Sequence, residues 1–169
     1  PLNYYYKYLL DFGEEKTIEE EVENNTFGSF IHNVLELLFE PFARHDKKGV
    51  LKPIQPSNLN ALDVERMLQR YEELIRAQFM VHFNEDVKAF ETGKNLLSYK
   101  MALELTKRIL EKEKGYVAQQ KEPVFIEFIE ATMEVPLTIN VHGKPKTIRL
   151  KGVIDRVDSI GNKIRIIDY

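Results

Sequence analysis

Along this chain the hydrophobic positions first recur at helical steps and later alternate residue by residue. Phe27, Ile31, Val34, Leu35, Leu38 and Phe39 fall three and four apart, which predicts a helix over residues 26–41 with Asn25 or Thr26 as its N-cap. Their arc is too wide for a surface helix, so this one is expected to be deeply packed. Gly49, Pro53 and Pro56 then break the pattern into a loop over 44–55. Leu62, Leu68, Leu74 and Ile75 predict a long amphipathic helix over 61–83, and Leu96, Leu97, Met101, Leu105 and Ile109 another over 94–114, with a shorter helical turn near 85–90. At the front of the chain, Tyr4, Tyr5, Tyr6 and Tyr8 mark a short aromatic helix, its tyrosines expected in a core rather than as a base-stacking platform. An acidic, solvated linker over 14–23 follows it.

From Pro123 the period becomes two, with strands predicted over 124–130, 133–141 and 147–157, the last two joined at His142-Gly143-Lys144-Pro145. The last twenty residues read as a further hairpin in which Gly161-Asn162 matches the Gly-first loop of a type II′ turn. Counting outward from that loop places Asp155 directly opposite Asp168. A four-residue loop over 159–162 keeps the parity and moves the pair to a diagonal. In both registers two carboxylates share a face with Ile164 and Ile166. Like charges across strands destabilise the pair, so a divalent cation, a basic side chain or a raised pKa must relieve them. Spacing alone leaves two readings open, a metal site or an ion pair with Arg156 or Lys151.

Composition adds bounds. The chain has 169 residues, 43% apolar and 30% charged, enough for one core. No apolar run is long enough to span a membrane and no signal-peptide pattern is present, so the cytoplasm is the expected compartment. Starting at Pro1 and ending inside a predicted strand, the sequence is expected to be a piece of a larger protein. Cysteine is absent, which removes disulfides, thiolate nucleophiles and zinc-cysteine sites from this segment. A net charge of −3 is no signature of a generic nucleic-acid binder, yet residues 142–169 hold Lys144, Lys146, Arg149, Lys151, Arg156, Lys163 and Arg165 against three aspartates. Gly93-Lys94 lacks the earlier glycine of a phosphate loop, and no Ser, His and Asp spacing suggests a nucleophilic triad. Glu130 and Glu134 read as exposed strand glutamates, and His45, His82 and His142 as exposed histidines.

Gly152-Val-Ile-Asp155-Arg156-Val-Asp158, a turn, and Ile166-Ile-Asp168-Tyr169 resemble the "GxIDRxD … IxDYK" signature of the RecB-like branch of the PD-(D/E)XK nucleases, the AddB/Cas4-type nuclease domain. Gly28-x-x-x-His32-x-x-Leu35-Glu36 is similar to that family's "GxxxHxxLE" helix, and Pro1, Tyr4 and Tyr5 to its opening "CPxxFYYxY" segment. The pattern's lysine would follow Tyr169, where the sequence stops.

The resemblance implies a restriction-endonuclease-like α/β core over residues 1–169, with a largely antiparallel sheet of three to four strands over 123–169, a packed helix bearing His32, and a helical insertion over 46–120. It implies Mg²⁺ or Mn²⁺ held by His32, Asp155, Asp168 and the carbonyl of Tyr169, with Glu36 in a supporting position. The chemistry would be metal-assisted hydrolysis of DNA phosphodiesters, exonuclease-type, in repair or recombination, alongside a helicase domain or subunit. Without the lysine, the segment by itself is expected to be inactive. The iron–sulfur cluster of some relatives would be held by cysteines outside this segment. Two alternatives accompany this reading: a nuclease-fold subunit that binds DNA without cutting it, and a structural module in which Asp155 and Asp168 are ion-paired.

Overall fold

The computed structural model describes residues 22–141 and 143–169. The expected aromatic helix and all but Val22 and Glu23 of the acidic linker, as well as His142, lie outside the described residues. Helix α1, Asn24–Phe39, starts two residues before the predicted position, with Glu23 at the N-cap and no side chain bonding there. Phe30, Ile31, Val34, Leu35, Leu38 and Phe39 are buried along it, so the deep packing read from its wide apolar arc holds. A 3₁₀ turn, Glu40–Phe42, with Pro41 in its first turn, ends the helix and leads into the loop.

The predicted helix over 61–83 is two helices, α2 (Ala61–Leu68) and α3 (Tyr71–His82). The turn between them tightens through amide bonds from Gln69 to Arg66 and from Arg70 to Met67. Restarting the helix there lets Tyr71, Ile75 and Phe79 enter the core on α3, as Val64 and Met67 do on α2. Asn60 and Asp63 form a reciprocal capping box at the start of α2, which fixes its entry. Helix α4, Gly93–Gln119, outruns its predicted end and turns an unexpected face inward: Ala102, Thr106, Leu110, Glu113 and Val117 are buried, while Leu97, Met101 and Leu105 are exposed. On that face Ala102, Thr106 and Leu110 are fully enclosed. Phe79, Phe83, Phe90 and Tyr99 interlock where α3 and α4 meet.

The sheet has three antiparallel strands in the order β1 (Val124–Val141), β2 (Lys144–Ile160) and β3 (Lys163–Ile167). The two strands expected over 124–130 and 133–141 are one continuous strand. Its breaks are local: a bulge at Glu127, where Ile126 and Phe128 pair with the adjacent Asp158 and Val157, and a positive φ of 46° at Glu130. The β2–β3 register is the predicted one, Ile160 facing Lys163 and Arg156 facing Ile167, with Gly161 at φ 54° as a Gly-first turn requires. The loop after α1 runs along the outer edge of β1. Arg44 and His45 donate their amides to Ile126 and Glu127, and Thr132 donates to the Lys47 carbonyl.

Candidate metal centre

His32 lies at the border of the buried stripe of α1, and its half-exposed ring meets the sheet where β1 and β2 leave the body. Its Nδ1 is 3.4 Å from Glu130 Oε1 and 3.6 Å from Asp155 Oδ2. Each of the three residues offers a ligand atom within 4.8 Å of the others. The pairing explains why Glu130 is there: Ile129 faces Arg156 and Ala131 faces Ile154, so Glu130 is the cross-strand neighbour of Asp155. Its left-handed backbone is an uncommon conformation for a non-glycine residue and is a local strain, of the kind that collects at functional sites.

Glu130 is therefore not the exposed strand glutamate expected from the sequence. Its side chain is 21% accessible and that of Asp155 is 13%. Burial pushes the Glu130 carboxyl above its ordinary range; Asp155 and Glu36 act in the same direction, and His32 opposes them. Glu36, one turn along α1, is held by Lys47 at 2.5 Å. Asp155 has no lysine or arginine partner among the described residues. Arg156 turns to the opposite side of the sheet, as strand alternation requires, where it pairs with Asp158 and Glu113, and Lys151 is exposed.

Asp168 extends the β2–β3 register by one step and so stands on the other flank of Asp155, but it is exposed and is not one of the convergent three. Tyr169 reaches the site through its backbone, donating its N–H to Asp155 Oδ2 at 2.8 Å. Its ring stands edge-on to His32 at 6.0 Å, and its buried hydroxyl, pushed up to about 12 chiefly by burial, faces Arg156. His45 and His82 are half-buried rather than exposed. His45 stacks on Phe128, and His82 packs edge-on against Phe30 and Phe83.

A model of the PD-(D/E)XK nuclease superfamily matches residues 1–169. The chain belongs to that superfamily. No curated protein and no solved structure matches it significantly. The α/β architecture, with helices beside a three-stranded antiparallel sheet, is consistent with the restriction-endonuclease-like fold of this superfamily. Its members are nucleases that typically use divalent metals. One imidazole nitrogen and two carboxylates, close together and half-buried, fit Mg²⁺ or Mn²⁺ and leave coordination positions for water and phosphate oxygens. None of the described helices is long and apolar enough to cross a membrane.

Proposed function

We propose that this protein is a metal-dependent deoxyribonuclease of the RecB-like branch, acting on DNA in repair or recombination, with His32, Glu130 and Asp155 as its metal ligands. The observation that carries the reading is the convergence of these three side chains, drawn from a helix and two strands, with no lysine or arginine partner for Asp155 among the described residues. A structural ion pair would set a lysine or arginine against Asp155, and Arg156 and Lys151 do not serve.

The residues divide the work. His32, Glu130 and Asp155 would hold the cation, and the Tyr169 amide fixes one Asp155 oxygen in place. The chemistry such an ion would supply between them is polarisation of a phosphoryl oxygen and a lowered pKa of a bound water. Lys47 neutralises Glu36, so that carboxylate does not add its charge to the centre unopposed. Asp168, exposed at the mouth beside Asp155, is placed to join the ligand set or to orient water when DNA enters.

Titrating Mn²⁺ into the protein by calorimetry tests the ligand set. Wild type should bind one ion, and His32→Ala and Asp155→Asn should each bind at least about tenfold more weakly while keeping the wild-type circular dichroism. Affinities in both variants equal to wild type would overturn the assignment.

A further inference from the structure

We propose that the β1–β2 ribbon beyond the metal centre is a nucleic-acid arm, whose polar face holds the phosphate backbone of the DNA strand leading into His32, Glu130 and Asp155. This rests on the nuclease reading and extends it from the site to the path of the substrate. Above Ala131 and Ile154 the two strands continue to Val141 and Lys144 with no third strand beside them among the described residues. Ten residues of each strand thus stand out from the body, about 30 Å of ribbon.

The register sorts the ribbon into two faces. Thr132 faces Val153, Glu134 faces Lys151, Pro136 faces Arg149 and Thr138 faces Thr147, and these pairs continue the row that begins with Glu130 and Asp155. Every second pair shares a face, so Lys151 and Arg149 point to the same side as the ligand carboxylates. Lys151 is four residues and Arg149 six residues along β2 from Asp155, about 13 and 20 Å away along the strand. The other face is aliphatic near the body, where Val135 meets Leu150 and Leu137 meets Ile148, cross-strand pairs that help an unsupported ribbon stay extended. Toward the tip it carries Lys146 opposite Ile139 and Lys144 opposite Val141, so two of the ribbon's four cations lie on each face.

Charge separates the ribbon from the rest of the protein. Residues 133–153 hold four cations (Lys144, Lys146, Arg149 and Lys151) against one anion, Glu134, a net of +3. The whole chain is −3, so everything else carries −6. A polyanion approaching this molecule is repelled by the body and attracted by the arm. Glu134 is the one anion on the polar face among residues 133–153: it stands across from Lys151 and lies a loose 3.9 Å from Arg149, with the Arg149 and Glu134 side chains both exposed. Phosphate can displace it.

The arm is tested by fluorescence anisotropy with a labelled single-stranded oligonucleotide in EDTA, where electrostatic binding persists and cleavage does not. Arg149→Gln/Lys151→Gln should weaken binding about tenfold and reduce the slope of log K against log salt by about two, one per lost phosphate contact. Lys107→Gln/Lys112→Gln on the exposed face of α4 should leave both unchanged. A second variant, in which residues 136–149 are replaced by Asn-Gly between the facing Val135 and Leu150, trims the arm without changing register and should bind as weakly as the double variant or more so. Wild type that fails to bind, or variants that bind with wild-type affinity and slope, would overturn the arm; Mn²⁺ binding measured without DNA reports separately on the nuclease reading. A trimmed arm that changes the molecular mass by light scattering but leaves DNA binding intact would make the ribbon a self-association surface, also overturning the proposal.

Discussion

Arg156 is the residue whose loss the fold should feel most. It is fully buried, its Nε and Nη2 donate to the two oxygens of Asp158 at 2.7 and 2.9 Å, and Nη2 also reaches Glu113 of α4 at 2.7 Å. The guanidinium lies 4.3 Å over the Phe39 ring at the end of α1. One side chain therefore ties β2 to α1 and α4. Replacing it by Met keeps much of the volume but leaves Asp158, itself 0% exposed, facing only the looser Arg165 at 3.4 Å. Removing one partner of a buried, hydrogen-bonded pair costs about 3–5 kcal/mol, a third or more of the stability of a small domain. With a urea m-value of about 2 kcal/mol per molar, Arg156→Met should lower the unfolding midpoint by about 1.5–2.5 M. Burial already raises the Asp158 carboxyl above its ordinary 3.8, against Arg156 and Arg165, and losing Arg156 raises it further. A carboxyl whose folded pKa is raised withdraws stability as pH climbs from the unfolded value through the folded one. The deficit of the variant should therefore shrink toward about pH 4 and be full near neutrality. Arg156→Met/Asp158→Leu should be more stable than Arg156→Met, because Asp158 no longer remains as an orphaned carboxylate while Glu113 keeps Arg165 in both variants. A loss below about 1 kcal/mol near pH 7.5, or a double variant no better than the single, would refute this account of the network.

Glu130→Gln in EDTA should raise stability by about 0.5–1 kcal/mol near neutral pH, since it removes a half-buried charge beside Asp155. Because the Glu130 pKa is raised, wild type recovers stability as pH falls through it, so the difference between the two melting curves should close in acid; a variant less stable than wild type at neutral pH would contradict this. Gly28→Ala should stabilise α1 by about 0.5–1 kcal/mol in thermal unfolding, because a Cβ there meets nothing within 4 Å. A lowered melting temperature would mean that the glycine is needed for the fold.

The chain's periodicity disclosed the deep packing of α1 and the β2–β3 register because both follow from positions a few residues apart. Asp155 came from the same counting, whereas His32 became visible as a ligand only through family resemblance, its contact with Asp155 being a matter of tertiary packing. Glu130 was legible by the same counting that paired Asp155 with Asp168. From the turn between Val141 and Lys144 the pairing runs without interruption to Ala131 and Ile154, so counting inward along that hairpin brings Glu130 opposite Asp155. Breaking β1 into two predicted strands hid it. The inward face of α4 was not legible, because burial of Thr106 and Glu113 depends on partners that no local pattern names: Glu113 is buried to meet Arg156 and Arg165 from the sheet.

The sheet also shows how one strand serves two purposes. Along β2, Asp155 and Arg156 are neighbours in sequence and point to opposite sides. Arg156 is held by carboxylates of its own, Asp158 and Glu113, on the far side of the sheet from Asp155. Strand alternation thus keeps the guanidinium away from the carboxylates at the sheet's edge, and the Glu130 carboxyl there is raised first by its own burial and then by Asp155 and Glu36, with His32 opposing them. In Arg156→Met/Asp158→Leu the centre should accordingly bind Mn²⁺ as wild type does, because the network lies on the other side of the sheet and does not touch the ligands. A large loss of affinity in that folded double variant would show that Arg156 positions Asp155 more directly.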